Sequence, residues 1–328
     1  MVDKKVEKKI KEYISDVFLK AELEGYGERN SGKVRDIYEL EKEIILITTD
    51  RISAFDRILK QGIPYKGQAL NQTSAFWFEE TEDIVKNHVR GVPDPNVMVV
   101  QKCEPIDIEV VIRGYITGSA WRKYEKLKEK GEPLVISGVE FPKNLRKNEK
   151  LPEPVFTPTT KAKSGHDQEI TPEEIVSRGI VSEELLEKIT EIAFKLYNRG
   201  NKVVSKEGGI LVDTKYEFGL NHEGELVLID EVHTADSSRY WLQENYEEAF
   251  EKEEKQKGLD KEYVRRWLRN QGFMGDGEVP NLPEEVIVNA ATNVIGSYEL
   301  ITGQKFKPAK EYTSNNRIQK NLNNYYKK

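Results

Sequence analysis

The sequence has little of what disulfide-bonded, membrane-spanning and nucleic-acid-binding proteins need. One of its 328 residues is a cysteine, Cys103, which excludes an internal disulfide and a zinc site built from several cysteines. No apolar run approaches the roughly 20 residues that span a bilayer, and the charged start of the chain lacks the apolar stretch of a secretory signal. Acidic residues outnumber basic ones by 57 to 51, and a net charge of -6 is a poor match for nucleic acid. We therefore expect a cytoplasmic protein that binds neither membranes nor nucleic acid.

Histidine is scarce as well, and its four copies at positions 88, 166, 222 and 233 lack the spacing of a zinc site. Charged residues, by contrast, make up 33% of the chain and lie between periodic apolar segments. This composition and this length predict a globular protein with a charged surface and an interior large enough for two lobes.

Apolar periodicity and turn residues predict mixed helices and strands. We expect helices over residues 3–24, 69–80, 172–179, 182–197 and 284–302, and strands over 33–40, 44–48, 97–100, 106–112, 210–219 and 225–232. Prolines exclude a continuous helix from 138 to 171, and the Asn/Lys-rich tail over 315–328 is expected to be solvated. A proline and a change in composition at Glu104-Pro105 divide the chain into an N-terminal lobe, 1–105, and a C-terminal lobe, 106–328.

The segment Gly27 to Lys33 matches the first seven positions of a phosphate-binding P-loop. The eighth position breaks the match, because Val34 stands where a serine or threonine would bind magnesium and a β pattern follows instead of a helix. Two interpretations stay open at this point. One is a Gly-Lys hairpin that covers nucleotide phosphates, and the other is an ordinary surface turn.

Period-two alternation around Asp213 predicts a strand with one ionic face. Asp213, Lys215 and Glu217 share that face, and the next strand ends in Asp230-Glu231. The hairpin register brings Asp230 within a residue or two of Glu217, so two carboxylates meet where a cation is needed. If the site also holds ATP phosphates, these oxygen ligands favour Mg²⁺. The plainer interpretation of the same residues is an exposed edge strand of mixed charge.

Two short units combine an arginine with small hydroxyl residues, a combination that binds phosphate or carboxylate groups well. Arg113 ends an apolar strand shortly before Thr117-Gly-Ser119, and Ser237-Ser238-Arg239 follows the carboxylate hairpin. Each unit alone could be a helix cap with a salt bridge. Their position on both sides of an acidic site favours a functional role.

Taken together, these motifs closely resemble the SAICAR synthetase family in order and spacing. The resemblance rests on Gly32-Lys-Val-Arg-Asp-Ile-Tyr38, Asp50-Arg-Ile-Ser-Ala-Phe-Asp56, Arg113-Gly-Tyr-Ile-Thr-Gly-Ser119, Asp213-Thr-Lys-Tyr-Glu-Phe-Gly219 and Ser237-Ser-Arg-Tyr-Trp241. It extends from about residue 25 to the Ile301-Thr-Gly-Gln-Lys-Phe306 segment, and its wording is similar to the longer, yeast-like branch.

The resemblance implies an α+β fold of two subdomains, similar to ATP-grasp and kinase-like lobes, with ATP between them. It implies a ligase of purine synthesis, in which ATP activates the carboxylate of the ribotide CAIR and the amine of L-aspartate attacks it. SAICAR, ADP and phosphate are the implied products. A carboxylate must be phosphorylated before an amine attacks it readily, and Mg²⁺ with cationic side chains neutralises the moving phosphoryl charge.

By matched position, the resemblance also implies roles for single residues. The ATP phosphates are expected at Gly32, Lys33, Val34 and Arg35, and the adenine at Lys102, Pro105 and Ile106. Mg²⁺ is expected at Glu217 and Asp230. The ribotide phosphate is expected at Arg113, Ser119, Ser238 and Arg239, and the ribotide base or carboxylate near Asp213 and Lys215. Lys215, Asp213 and Arg239 are the expected catalytic residues, and Lys161 with the loop through His166 and Asp167 is expected at the aspartate.

Other functions stay open at this stage. A small-molecule kinase would share the hairpin and the carboxylates but would need no amine co-substrate. A module that binds RNA or protein through residues 317–328 is disfavoured by the net charge of -6. Assembly into a homo-oligomer is compatible with all of these functions.

Overall fold

The computed structural model describes residues 3–55, 57–161, 168–259, 262–313 and 315–327 of the protein. Its helices are α1 (Lys4–Glu12), α2 (Lys66–Glu80), α3 (Gly118–Lys130), α4 (Pro172–Ser177), α5 (Glu183–Val204), α6 (Gln243–Glu251), α7 (Glu262–Asn270), α8 (Glu284–Thr302) and α9 (Asn315–Tyr326), with a 3₁₀ turn at Ser205–Glu207. Within these ranges, no helix combines the length and the hydropathy that crossing a bilayer requires.

The first sheet is antiparallel and lies in the N-terminal part of the chain. Its strands are β1 (Arg29–Ser31), β2 (Arg35–Glu39), β3 (Glu43–Thr48), β6 (Val89–Asp94) and β7 (Val97–Gln101), in the order β1-β2-β3-β7-β6. A small separate pair, β4 (Ser53–Ala54) and β5 (Arg57–Ile58), follows β3 along the chain. The hairpin predicted over residues 33–40 and 44–48 is confirmed as β2 and β3, and the strand predicted at 97–100 is confirmed as β7.

The second sheet is built around one long strand. The strands after the first sheet are β8 (Glu104–Pro105), β9 (Ile108–Tyr115), β10 (Val135–Ile136), β11 (Val139–Glu140), β12 (Lys150–Phe156), β13 (Thr159–Thr160), β14 (Gly209–Leu220), β15 (Leu226–Ile229) and β16 (Ser238–Leu242). Strand β14 pairs with β8, β9, β15 and β16, whereas β10 and β11 form a separate two-stranded sheet. The predicted hairpin of 210–219 and 225–232 is confirmed as β14 and β15.

Three clusters of buried apolar side chains hold these layers together. The largest packs α5 against the second sheet and also reaches β7, a second joins α1, α2, α7 and α8, and a third joins the first sheet to α9. Because α8 and α9 follow the second sheet in the chain yet pack against earlier elements, the C-terminal segment returns to the N-terminal part of the molecule. The division of the chain at residue 105 stays a prediction.

The first predicted helix is wrong beyond residue 12. Helix α1 ends at Glu12, although Phe18 and Ala21 continue the helical spacing and are buried. The backbone N–H of Phe18 donates to the carboxylate of Asp50 at 3.0 Å, and that of Ala21 donates to Asp36 at 2.7 Å. The side chains of two residues distant in sequence therefore accept the backbone N–H groups that would donate to backbone carbonyls in a longer helix.

The prediction of a solvated tail is wrong as well. Residues 315–326 form α9, in which Ile318 and Leu322 are fully buried against the first sheet. Arg317 anchors the helix through Asp94, which its Nε reaches at 2.9 Å. The prediction that 138–171 contains no continuous helix is confirmed for its described residues, which contribute β11, β12 and β13 instead.

Candidate active site

The ionic face of β14 is the centre of the candidate site. Strand register places Asp213 between Arg113 of β9 and Arg239 of β16, and it places Lys215 opposite Val111. On the other face of the strand, Tyr216 and Phe218 belong to the large apolar cluster. The alternation inferred from the sequence therefore separates packing side chains from charged ones, as predicted.

Two lysines and two glutamates form a compact cluster at the end of this face. The ammonium of Lys215 donates to Glu109 at 2.6 Å and to Glu217 at 3.1 Å, and Lys161 donates to the other oxygen of Glu217. Burial would lower the pKa of Lys215, but the charges of Glu217 and Glu109 outweigh it and hold the pKa above its ordinary value. Lys215 is therefore a cation at neutral pH.

Arg35 carries positive charge from the first sheet to the carboxylates that end β15. Its guanidinium donates to Asp230 and lies 3.0 Å from Glu231. Glu217 pairs with Ile229, so Asp230 is one residue beyond that pair, within the register predicted. Burial opposes ionisation of Asp230, but the charges of Arg35 and Lys215 prevail and lower its pKa to about 2. The carboxylate is ionised at neutral pH.

The Gly-Lys turn between β1 and β2 is held in place by an arginine that the sequence analysis missed. Gly32 donates its N–H to the carbonyl of Arg35 at 2.8 Å and closes the turn. Arg51 donates to the carbonyls of Gly32 and Lys33 at 3.2 and 3.3 Å and to Asp36 at 2.9 Å. Val34 accepts from Thr49. The position of Arg51 in the Asp50 to Asp56 motif was the signal in the sequence for this role. Asp56 itself lies outside the described residues.

The segment predicted to hold adenine connects the two sheets beside Glu217. Pro105 pairs with Gly219, and the N–H of buried Ile106 donates to the carbonyl of Phe218 at 2.9 Å. The ammonium of Lys102 lies 3.4 Å from Glu39 of β2. The predicted adenine segment and the predicted metal ligand Glu217 are therefore neighbours in the fold.

A polar cavity of about 290 Å³ opens over the other end of the ionic face. Arg113 donates to Thr157 at 2.8 Å, to Asp213 at 3.3 Å and to Ser119 at 3.4 Å, and Arg239 donates to the same Asp213. The cavity walls include all four residues predicted for the ribotide phosphate, namely Arg113, Ser119, Ser238 and Arg239. Ser119 also lies in the first turn of α3, which has no acidic residue and presents the positive end of the helix dipole.

Two lining residues come from α7, where the sequence analysis made no site prediction. Glu262 and Arg265 line the cavity. Burial lowers the pKa of Arg122 in α3. The negative charge of Glu262 opposes this lowering, and the positive charges of nearby arginines, Arg239 first, add to it. The only signal in the sequence was the helical spacing of Arg265 and Arg269, and paired arginines on a charged helix are too common to mark a site.

The predicted metal ligands fit a hard divalent cation in their chemistry. Glu217 and Asp230 offer carboxylate oxygens, and each of them contacts lysine or arginine in the structure. Within the described residues, no group of three or more histidine, cysteine, aspartate or glutamate side chains is arranged to hold a metal alone. Two carboxylates suit Mg²⁺, which takes its other oxygens from phosphate and water. His166 and Asp167, predicted near the aspartate, lie outside the described residues.

Comparisons with known proteins point to one family. The SAICAR synthetase family profile matches residues 28–281. The phosphoribosylaminoimidazole-succinocarboxamide synthase of Azobacteroides pseudotrichonymphae is 48% identical over 297 residues, which cover 90% of this chain and 90% of that protein. The protein of the same name from Bacteroides thetaiotaomicron is 47% identical over 303 residues, which cover 90% of this chain and 94% of that protein.

Two solved structures extend the similarity to the fold. The SAICAR synthase from Saccharomyces cerevisiae, complexed with SAICAR, has a TM-score of 0.77 at 33% identity and covers 88% of this chain and 99% of its own. A SAICAR synthetase in complex with ADP has a TM-score of 0.63 at 26% identity and covers 85% of this chain and 100% of its own. The α+β fold is that of these enzymes.

Proposed function

The chain belongs to the SAICAR synthetase family, and we propose that it joins the amine of L-aspartate to the carboxylate of CAIR while ATP is converted to ADP and phosphate. The observation that carries this proposal is the ionic face of β14. A polar cavity lined by Arg113 and Arg239 surrounds Asp213 at one end, and a cluster of carboxylates and cations surrounds Glu217 at the other. Four residues of strand span about 13 Å, so one strand can align a phosphorylated substrate with a nucleotide.

The ribotide phosphate binds in the cavity in this proposal. Arg113 and Arg239 share Asp213 as a common anchor, which holds two guanidinium groups in place before substrate arrives. Ser119 and Ser238 add hydroxyl donors, and the start of α3 adds backbone N–H groups. Lys215 lies farther along the same face, where the base and its carboxylate would extend.

ATP binds between the lobes of residues 1–105 and 106–328. Support comes from Arg35, which belongs to the first sheet and pairs with Asp230 and Glu231 beyond the end of β15. The turn of Gly32, Lys33 and Val34 would cover the phosphates, and Lys102, Pro105 and Ile106 would hold the adenine. Glu217 and Asp230 would bind Mg²⁺, which supplies charge neutralisation for the phosphoryl group when bound.

The chemistry divides into two steps, and the side chains have distinct tasks in each. An oxygen of the ribotide carboxylate attacks the terminal phosphorus of ATP, so an acyl phosphate forms and ADP leaves. The amine of aspartate then attacks the acyl carbon, loses a proton and displaces phosphate. Lys215 remains protonated because Glu109 and Glu217 flank it, so it stabilises negative charge and does not accept the proton.

The aspartate is assigned to the neighbourhood of Lys161. This lysine contacts Glu217 and directly precedes residues 162–167, which lie outside the described residues. A cation there would pair with a carboxylate of the incoming amino acid. A cytoplasmic location and a homo-oligomeric assembly stay predictions from the sequence.

The experiment is a substrate-omission assay on the purified protein. ADP release is measured with Mg²⁺-ATP, CAIR and L-aspartate, and then with each substrate left out in turn. ADP release only with all three, together with formation of SAICAR, supports the ligase. ADP release with CAIR but undiminished without aspartate would instead identify a kinase or an uncoupled hydrolysis of the acyl phosphate.

A further inference from the structure

A buried lysine lies where helix electrostatics disfavour a cation. Lys66 is the first residue of α2, and its side chain is 0% exposed. A positive charge in the first turn of a helix faces the positive end of the dipole, and a buried ammonium is costly unless it is paired. A Cβ on Gly67 would lie 2.3 Å from the carbonyl oxygen of Thr48, so the helix start packs directly on β3. Lys66 therefore cannot withdraw into solvent.

The partner of Lys66 belongs to the wall of the ribotide cavity. Its ammonium lies 2.9 Å from Oδ2 of Asp236, whose side chain is 8% exposed and lines the cavity. The N–H groups of Asp236 and Ser237 donate to the hydroxyl of Thr234 at 3.2 and 3.3 Å. The turn that leads into β16, the strand of Arg239, thus contacts a lysine of another element.

The charge balance of the cavity depends on this contact. Among the described residues, the charged side chains of its wall are four cations and three carboxylates: Arg113, Lys215, Arg239, Arg265, Asp213, Asp236 and Glu262. The margin in favour of an anion is small, and a phosphate monoester carries up to two negative charges. Removal of the charge of Lys66 would increase the repulsion between Asp236 and such a ligand, because Coulomb interactions are strong where water is scarce.

We propose that Lys66 is a positioning residue for the ribotide cavity: its charge offsets that of Asp236, and the contact orients the turn that leads into β16, the strand of Ser238 and Arg239. It does this without touching the ribotide itself. The proposal rests on the function proposed above, since it names a further residue that the same site needs. Neither the motifs in the sequence nor the strand register pointed to this lysine, which is contributed by a helix of the N-terminal part of the chain.

The first test is Lys66→Met, which keeps the length of the side chain and removes its charge. The dissociation constant for CAIR is measured by calorimetry, and the KM values for CAIR and ATP are measured by ADP release. We expect CAIR binding to weaken by at least about tenfold, with the KM for ATP and the kcat at saturating CAIR within about twofold of wild type. Lys60→Met is the matched control, because Lys60 forms an exposed pair with Glu278 at 2.7 Å, and it should leave CAIR binding unchanged.

A second comparison keeps the proposal open to refutation even if Lys66→Met does not fold. Asp236→Asn is combined with Lys66→Met, so that the carboxylate is neutralised together with the ammonium that contacts it. Once Asp236 is neutral, removal of Lys66 should change CAIR binding by less than about threefold. A further tenfold loss in that background would show that Lys66 acts on something other than Asp236 and would overturn the proposal. Equal losses for ATP and CAIR in the single variant would also overturn it, since they indicate a general structural role.

Calorimetry separates this proposal from the proposed function. A wild-type protein that binds CAIR but forms no SAICAR contradicts the ligase, and the role of Lys66 is still decided by the binding constants. A wild-type protein that does not bind CAIR refutes both. Turnover in the wild type together with unchanged CAIR binding in Lys66→Met refutes the role of Lys66 alone.

Discussion

Replacement of Glu217 by glutamine is the most direct test of the cluster at the end of β14. The two side chains have nearly the same shape, so the change replaces one carboxylate oxygen by an amide that faces an ammonium. Glu217 has an 8% exposed side chain and accepts from Lys161 and Lys215. Lys215 retains Glu109 at 2.6 Å, so it is not left as an isolated buried charge. The structural damage should therefore be small.

The expected magnitudes separate stability from catalysis. One charge-assisted hydrogen bond is worth about 1.5–3 kcal/mol, of which the remaining amide oxygen retains a part. We expect the melting temperature to fall by only a few degrees. Turnover should fall by about 10²–10³-fold, the usual cost of removing one preorganised group that stabilises charge in a transition state. If Glu217 binds the metal, the Mg²⁺ concentration that gives half-maximal rate should rise as well.

The assay compares Glu217→Gln with Glu225→Gln under saturating substrates. Glu225 immediately precedes β15 in the same hairpin and forms an exposed pair with Lys86 at 2.8 Å. Exposed pairs of this kind contribute little, so the control should retain the wild-type rate. A kcat for Glu217→Gln within about threefold of the control would refute the assignment of Glu217 to the reacting centre.

Three further predictions concern the docked tail, the cavity and the buried His88. Leu322→Ala removes a fully buried side chain of α9 and should cost about 2–5 kcal/mol in the free energy of unfolding, measured by urea titration; no loss would mean that α9 is not docked. Gly118→Ala places a methyl group 2.8 Å from the guanidinium of Arg239 at a φ of +58°, so it should raise the KM for CAIR and leave that for ATP unchanged; equal effects on both substrates would contradict this. Burial lowers the pKa of His88 from 6.5 to about 3. Between these pH values, the unfolded chain binds a proton at His88 that the folded protein does not bind. The folded state therefore loses stability as pH falls below 6.5. Between pH 6.5 and 4.5, the free energy of unfolding of wild type relative to His88→Leu should fall by up to about 1.4 kcal/mol per pH unit. Urea titrations of both proteins at each pH would reveal or refute this trend.

The ionic face of β14 could be predicted because its signal is local. Alternation of charged and apolar residues sets the two faces of a strand, and a short turn at 221–224 sets the register of the hairpin. Both inferences use neighbours in the sequence, and both agree with the structure, which pairs Glu217 with Ile229. The family resemblance added the order of the motifs, which no local pattern contains.

The errors arise where a distant group replaces a local one. Phe18 and Ala21 fit the period of a helix, but Asp50 and Asp36 accept their N–H groups from other parts of the chain. The docked tail shows the opposite error, because Ile318 and Leu322 are four residues apart on one helical face within an otherwise polar segment. The apolar spacing of a helix was present there, but the polar composition of the segment led to the prediction of a solvated tail. Arg51 and Lys66 were missed because their roles depend on partners that only the tertiary fold brings close.

The ion pairs of the candidate site also constrain how a nucleotide could bind there. Arg35 contacts Asp230 and Glu231, and Lys161 contacts Glu217, so each carboxylate assigned to Mg²⁺ is compensated by a cation of the protein. If the proposed function is correct, the metal and the phosphates must enter together. Glu217 and Asp230 would then hold the metal, and Arg35 and Lys161 would pair with phosphate oxygens instead of these carboxylates. Either partner alone would leave charges unpaired in a site of low exposure, which is unfavourable. Free ATP without Mg²⁺ should therefore bind much more weakly than the complex, and titration of both forms into the protein would establish whether the exchange of partners occurs.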